Sequence, residues 1–175
     1  MSTQLKPPFS EKDHFQGDPH APLELVEFGD YQCPHCAHAY PVIKRIQSAL
    51  GKELKFVFRN FPLNEAHPQA FAAAVAAEAA GLQNAFWPMH DLIFEKQSQL
   101  VKLPFDLFAT TLGLDAGKLV KDLEDPALSA RVEADFAGGL RSGVNGTPSF
   151  FINGRRYDGS WEEEYLLAEL KKHLP

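Results

Sequence analysis

Cys33-Pro34-His35-Cys36 carries both cysteines of a 175-residue chain. Two thiols three residues apart on a helix lie one turn apart on the same face, at a separation a disulfide can close. The chemistry this arrangement supports is reversible thiol–disulfide exchange, in which a thiolate attacks and a second thiol resolves the mixed disulfide. Cys33 is the expected attacking sulfur and Cys36 the resolving thiol.

The flanking pattern says why Cys33 should be reactive. Leu23 to Phe28 has strand length and strand residues, Gly29-Asp30-Tyr31-Gln32 is a short loop, and Ala37, Tyr40, Ile43, Ile46 and Leu50 then recur at helical spacing. Cys33 therefore opens a helix, and Pro34 suits its first position because a proline lacks the N–H that would find no partner there. Free N–H groups and the positive end of the helix dipole favour an anion at that point. They lower a cysteine pKa from about 8.5 towards roughly 3.5 to 7.5. A value near ~4.5 would stabilise the reduced form by about 3.4 kcal/mol at neutral pH, roughly 70 mV towards an oxidant. His35, between the cysteines, is placed to add a donor or a positive charge.

Two other uses of the pair stand beside this one. A purely structural disulfide would close a very small loop and so remove little unfolded-state entropy. Zinc has Cys33, Cys36 and His38 as possible ligands, but a closed site wants four ligands, and the chain has no second Cys-x-x-Cys and no His-x-x-x-His.

The bulk properties exclude other classes. With 45% hydrophobic and 23% charged residues the chain can bury a core as one domain with an insertion. A net charge of -6 and the lack of a basic stripe argue against nucleic acid or an anionic membrane surface as partner. Met1 to Gly17 has no apolar core of a signal sequence, and no run of 18 apolar residues occurs, so no membrane insertion is expected. As it stands the sequence reads as cytoplasmic, or as the mature form of an exported protein. Pro7-Pro8 and Asp18-Pro19-His20-Ala21-Pro22 suggest a loose N-terminal arm, with His14 and His20 solvated.

Pro41 falls inside the helical pattern and should kink it, or end it, before Gly51. The apolar spacing continues to Leu50, which favours the kink. Leu54 to Phe61, bounded by Pro62, alternates as a strand. Strand, helix, strand at this length is a right-handed crossover with adjacent parallel strands. Residues 64–143 read as helices: Ala70 to Leu82, Phe86 to Gln97, Pro104 to Leu112, Asp115 to Leu123 and Pro126 to Leu140. Phe71, Val75, Glu78 and Leu82 fall on one stripe of the first, and Phe86, Trp87, His90 and Phe94 read as core packing in the second. Ser149 to Ile152 and Arg155 to Asp158 flank Asn153-Gly154, a strong hairpin signal. Trp161 to Leu174 should close the chain as a helix, with Ser160 as N-cap and Glu163 completing a capping box.

This succession resembles the DsbA-like branch of the thioredoxin superfamily over nearly the whole chain, roughly Asp13 to Leu174. The resemblance is carried by Glu27-Phe28-Gly29-Asp30-Tyr31-Gln32-Cys33-Pro34-His35-Cys36, Phe58-Arg59-Asn60-Phe61-Pro62-Leu63, Phe86-Trp87-Pro88-Met89-His90-Asp91 and the Gly-Thr-Pro before the hairpin. It implies an α/β thioredoxin fold with a helical insertion between the second strand and the C-terminal hairpin. The division is then an arm over 1–22, a thioredoxin-like domain over 23–63 and 144–175, and an insertion over 64–143. By resemblance, Pro148 is a cis-proline packed against the active-site sulfurs, and Thr147 offers backbone groups to an extended substrate. Glu27 is likewise matched to an acidic residue beneath the site that helps move the Cys36 proton. A strand covered on both faces would bury that carboxyl and raise its pKa. The alternative is a solvent-facing carboxylate, as expected for Glu24. The chain departs from the family's exported oxidants in showing no signal sequence, and the Thr before Pro148 is a variable position among them.

The function expected is exchange of a Cys33-Cys36 disulfide with protein dithiols, as oxidant, reset by an unidentified redox partner. No cofactor beyond the redox-active disulfide and no metal is implied. The alternatives are a cytosolic reductase or isomerase, a glutathione-using relative, and a non-catalytic peptide-binding module built on Thr147-Pro148.

Overall fold

The apolar runs that bracket the cysteine helix form the middle of a sheet. The computed structural model describes residues 4–175. In chain order the strands and helices are β1 (His14–Gln16), β2 (Leu23–Gly29), α1 (Pro34–Leu50), β3 (Leu54–Asn60), α2 (Ala70–Gly81), α3 (Phe86–Glu95), α4 (Phe105–Thr111), α5 (Ala116–Asp122), α6 (Pro126–Arg141), β4 (Ser149–Ile152), β5 (Arg155–Tyr157) and α7 (Glu163–Lys172). Short 3-10 turns occupy Gly51–Glu53 and Gln97–Lys102. Among the described residues the sheet runs β1-β3-β2-β4-β5. As the crossover requires, β2 and β3 are parallel neighbours, with Glu27 opposite Phe58. The Asn-Gly hairpin docks its first strand antiparallel on β2, placing Phe150 opposite Glu27 on the other side. Asn153 and Gly154 take positive φ, as a tight two-residue hairpin demands. This is the mixed α/β thioredoxin-like fold.

Both faces of the central strands are covered. Leu25, Phe56, Phe58, Phe150 and Ile152 pack under the buried side of α1 together with α3 and α7. Val26, Phe28, Val57 and Phe151 face the other way, onto Phe61, Val144 and Phe136. Strand residues alternate between faces, so Glu27 shares the α1 side with Leu25. α1 runs unbroken through Pro41, and Gly51 follows its last residue with positive φ.

Several sequence expectations change. The arm is not loose: His14–Gln16 pairs antiparallel with β3 along the sheet edge. Leu5 is buried, and its N–H donates to the Gly154 carbonyl. The first three residues of that arm lie outside the described residues. His14 is not solvated, because its ring stacks on Phe86 and its Nε2 lies 2.8 Å from the buried Glu78 carboxylate. His20 is exposed, as expected. Nor does α2 present a single stripe. Its alanines are buried almost all round, while Leu82 is exposed and Phe71 half-buried. Small side chains let α2 sit close to α3 and α6, and Glu78 is buried there because Asn60, His14 and Arg131 surround it. The last helix begins after Glu162 rather than at Trp161. Ser160 Oγ accepts from the Glu162 N–H in a local turn instead of capping the helix.

Candidate active site

The loop between β2 and α1 fixes where the cysteines sit. Cys33 is the N-cap residue of α1 in extended conformation and Pro34 is the first helical residue. Both cysteines are free thiols. Cys33 is 4% exposed at the helix tip, and Cys36 faces fully inward on the next turn. Cys33 Sγ lies 3.6 Å from the Thr147 carbonyl oxygen, to which its protonated form can donate. The Thr147–Pro148 bond is cis. Thus Cys33, Cys36 and the Thr147-Pro148 turn meet, although more than a hundred residues separate them in sequence.

The electrostatics push the two sulfurs apart. Cys33 is lowered to about 5, first by a hydrogen bond from the Cys36 thiol, against the opposing effect of burial. The Thr147 side chain and the backbone N–H groups of Cys36 and His35 lower it further. The Thr147 hydroxyl, buried and bonded to no other described group, is free to turn to the thiolate. Cys36 is raised well above an ordinary thiol, first by burial, then by its bond to Cys33 and the nearby charge of Glu27. At pH 7 one sulfur is a thiolate and the other a thiol, the division of labour that exchange requires. A Cys33 value of about 5 stabilises the reduced form by about 3 kcal/mol at pH 7, or about 60 mV.

Glu27 lies beneath this pair, 3% exposed, with Oε1 bonded to no described group. Burial, and then the Cys33 thiolate, raise it to about 8. A carboxyl in that condition is held protonated near neutrality and can give up a proton. Glu24, near the start of the central strand β2, is half-buried rather than solvent-facing and pairs with the buried Lys55 at 3.0 Å. Gly29 makes room at this point, since a Cβ there would stand 2.4 Å from the Phe58 ring and 3.1 Å from Glu27 Oε1. The His35 side chain is exposed, and the contribution the geometry gives it is its backbone N–H. His38 turns away from the thiols towards Trp161 and Glu162, the latter at 3.7 Å. Among the described residues no cluster of three His, Cys, Asp or Glu is placed to hold a metal.

Residues with no role in the site assigned from sequence hold the loop. Asp30, 1% exposed, accepts from the N–H groups of Gln32 (2.7 Å), Cys33 (3.0 Å) and Leu63 (2.8 Å) and pairs with His67 Nδ1 at 2.8 Å. An Asp three residues before a helix start is a recognisable turn-forming signal. Gln32 and Gln69 exchange two hydrogen bonds, tying the loop to the start of α2. Tyr31 Oη meets the buried His90 Nδ1 at 2.9 Å. Gln97, from the insertion, donates through Nε2 to the Tyr31 and Cys33 carbonyls, each at 2.9 Å. No sequence pattern marks Gln97, since its partners are backbone atoms distant along the chain.

The sheet order, the cysteine pair at a helix start and the cis turn beside it are those of a thioredoxin-like fold. A family model described as Thioredoxin matches residues 10–172, and the chain belongs to that family. Among solved structures it is similar to BdbD from Bacillus subtilis (23% identity, TM-score 0.82, 98% of this chain and 96% of that one). A thioredoxin-like oxidoreductase from Silicibacter pomeroyi (25%, TM-score 0.78, 95% of each chain) and alpha-DsbA1 from Wolbachia pipientis (22%, TM-score 0.78, 98% and 95%) have the same fold. Among sequences it is 42% identical over 160 residues to a protein named Na(+)/H(+) antiporter NhaA 1 of Salinispora arenicola, covering 90% of this chain and 24% of that protein. It is 39% identical over 168 residues to one named Na(+)/H(+) antiporter NhaA of Herminiimonas arsenicoxydans (95% and 27%). The chain thus spans about a quarter of the length of these relatives.

Proposed function

We propose that the protein donates a disulfide from Cys33 and Cys36 to protein dithiols. The observation that carries this is the opposed ionisation of the two sulfurs at one helix tip, because a stabilised Cys33 thiolate makes the reduced state the favoured product. A substrate thiolate attacks Cys33 Sγ of the disulfide, and Cys36 leaves. A second substrate thiolate then attacks the substrate sulfur of the mixed disulfide and expels Cys33 as its thiolate. The substrate loses two electrons and two protons; the dithiol gains both electrons, one proton ends on Cys36 and the other goes to solvent, since Cys33 stays a thiolate.

Each site residue has a place in this scheme. Cys33 is the exchanging sulfur and Cys36 the internal partner. Pro34 sets the helix start and His35 supplies its backbone N–H. Cys36 leaves poorly as an anion in its buried position, so Glu27 is assigned the proton it takes up. Thr147 presents its carbonyl beside Cys33, where an extended substrate would add backbone bonds, and the cis Pro148 holds that turn. Residues 64–143 are read as the insertion that covers the sheet and grips the loop.

The chemistry needs no cofactor beyond the dithiol, with glutathione the proposed small-thiol alternative to a protein partner. No helix among the described residues is long and apolar enough to cross a membrane. A disulfide donor works in an oxidising compartment, which favours the exported reading over the cytoplasmic one. The antiporter relatives are matched over about a quarter of their length, and the dithiol chemistry, not ion transport, is what we assign to the matched region. Mixing the oxidised protein with one equivalent of a peptide carrying two reduced cysteines tests the proposal. Stoichiometric peptide disulfide and free Cys33 and Cys36 thiols are expected, and an unchanged peptide would refute it.

A further inference from the structure

The insertion meets the active-site loop through His67, Gln69, His90 and Gln97, and of these Gln97 bonds the backbone of Cys33 itself. Gln97 stands in the 3-10 turn after α3, and its amide Nε2 spends two hydrogens on two carbonyls, those of Tyr31 and Cys33. Asp30 meanwhile holds the amides of Gln32 and Cys33 from the opposite direction. The backbone on both sides of the Gln32–Cys33 bond is therefore gripped by donors and acceptors together. The Cys33 carbonyl already accepts from the Ala37 N–H as the first bond of α1, at 3.1 Å. A carbonyl has two lone pairs, and Gln97 satisfies the second without displacing the helix bond. The segment carrying Gln97 continues into the exposed apolar side chains of Val101 and Leu103.

We propose that Gln97 is a positioning residue of the dithiol site: held by the insertion, its amide fixes the Tyr31 and Cys33 carbonyls and so aims the Cys33 sulfur at the free N–H groups of α1. This rests on the disulfide-exchange reading and adds to it a task for the insertion. The insertion is then part of the reactive centre, and Gln97 is its bond to the Cys33 carbonyl. A methionine at this position would keep length and volume while losing both donors. A lysine would restore donors to the same carbonyls.

The test compares Gln97→Met, Gln97→Lys and the exposed neighbour Gln99→Met. Three readouts are taken: the thiolate absorbance of Cys33 against pH, its rate of attack on a model disulfide, and the thermal midpoint. In Gln97→Met the Cys33 titration should move up by about one unit, a tenfold change in the thiolate equilibrium. The attack rate should change with it, while Gln97→Lys returns towards the parent and Gln99→Met is unchanged. Parent-like titration and rate in Gln97→Met would overturn the proposal. Equal shifts in the Met and Lys variants would overturn it too, because packing rather than donation would then be responsible. Failure of the underlying reading is separable, since it would appear as exchange that survives in Cys33→Ser whatever stands at Gln97.

Discussion

The backbone N–H of Asp30 donates to Cys36 Sγ at 3.5 Å, while the carboxylate of the same residue holds the Cys33 N–H at 3.0 Å. One residue thus bonds both members of the dithiol pair. Asp30 also reaches Leu63 and His67 on the far side of β3, so the site is locked to the chain that leaves the second central strand.

Removing that carboxylate should cost more than an ordinary surface change. Asp30→Ala leaves buried donors without an acceptor, at about 3 kcal/mol. For a chain of this length the thermal midpoint should fall by about 6 to 12 °C. Asp30→Asn keeps an acceptor oxygen and should fall by less than half as much. Calorimetry of the two variants beside the parent checks the order, and equal midpoints would remove Asp30 from the account.

The Cys33 thiolate depends first on its neighbour. Titrating the reduced protein at 240 nm should give a midpoint near pH 5. Cys36→Ala takes away the principal hydrogen bond and should raise that midpoint by at least about one unit. Thr147→Val removes the hydroxyl and should raise it by about half a unit. Because the folded value lies below the ordinary thiol value, this contribution to stability is fully present above about pH 9, where a free thiol ionises, and is lost as pH falls through about 5.

Glu27 has the opposite sign. Its folded value, about 8, lies above the ordinary 4.5, so the folded state binds the extra proton between them. Stability contributed by this group is fully present below about pH 4.5 and is lost as pH rises through about 8. Chemical denaturation across that window should show Glu27→Gln as the flatter profile and, at pH 8, the more stable protein. The same variant should slow the exchange step in which Cys36 gains its proton by about tenfold or more. A parallel pair of stability profiles would contradict the buried, protonated carboxyl.

Much of this was legible in the residues. The alternation in β2 and β3, the Asn-Gly hairpin and the proline after Cys33 are local signals, and local backbone preference decided them. The 3-10 turn after α3 interrupts what the periodicity extends to Gln97, because the chain bends there to bring Gln97 onto the loop. β1 was missed since a three-residue edge strand has too few residues to show a period, and its partner lies some forty residues away. His14 reads as solvated for the same reason: its stacking on Phe86 and its contact with Glu78 are tertiary. Asp30 had a signal, a turn-forming Asp three residues before the helix, whereas Gln97 had none. Cys33, Cys36, Glu27 and Thr147-Pro148 were named together, and the helix start already pointed to Cys33 as the ionised sulfur; what packing adds is the hydrogen bond from Cys36 and the contact with Thr147.

The central claim is direction, and a redox titration tests it most directly. The protein is equilibrated in graded mixtures of reduced and oxidised glutathione, and the disulfide fraction of Cys33 and Cys36 is read by alkylation and mass. A donor with a stabilised Cys33 thiolate should sit at about -150 mV or higher, near the strongly oxidising end of the superfamily. A potential near about -270 mV would describe a reductase and contradict the account.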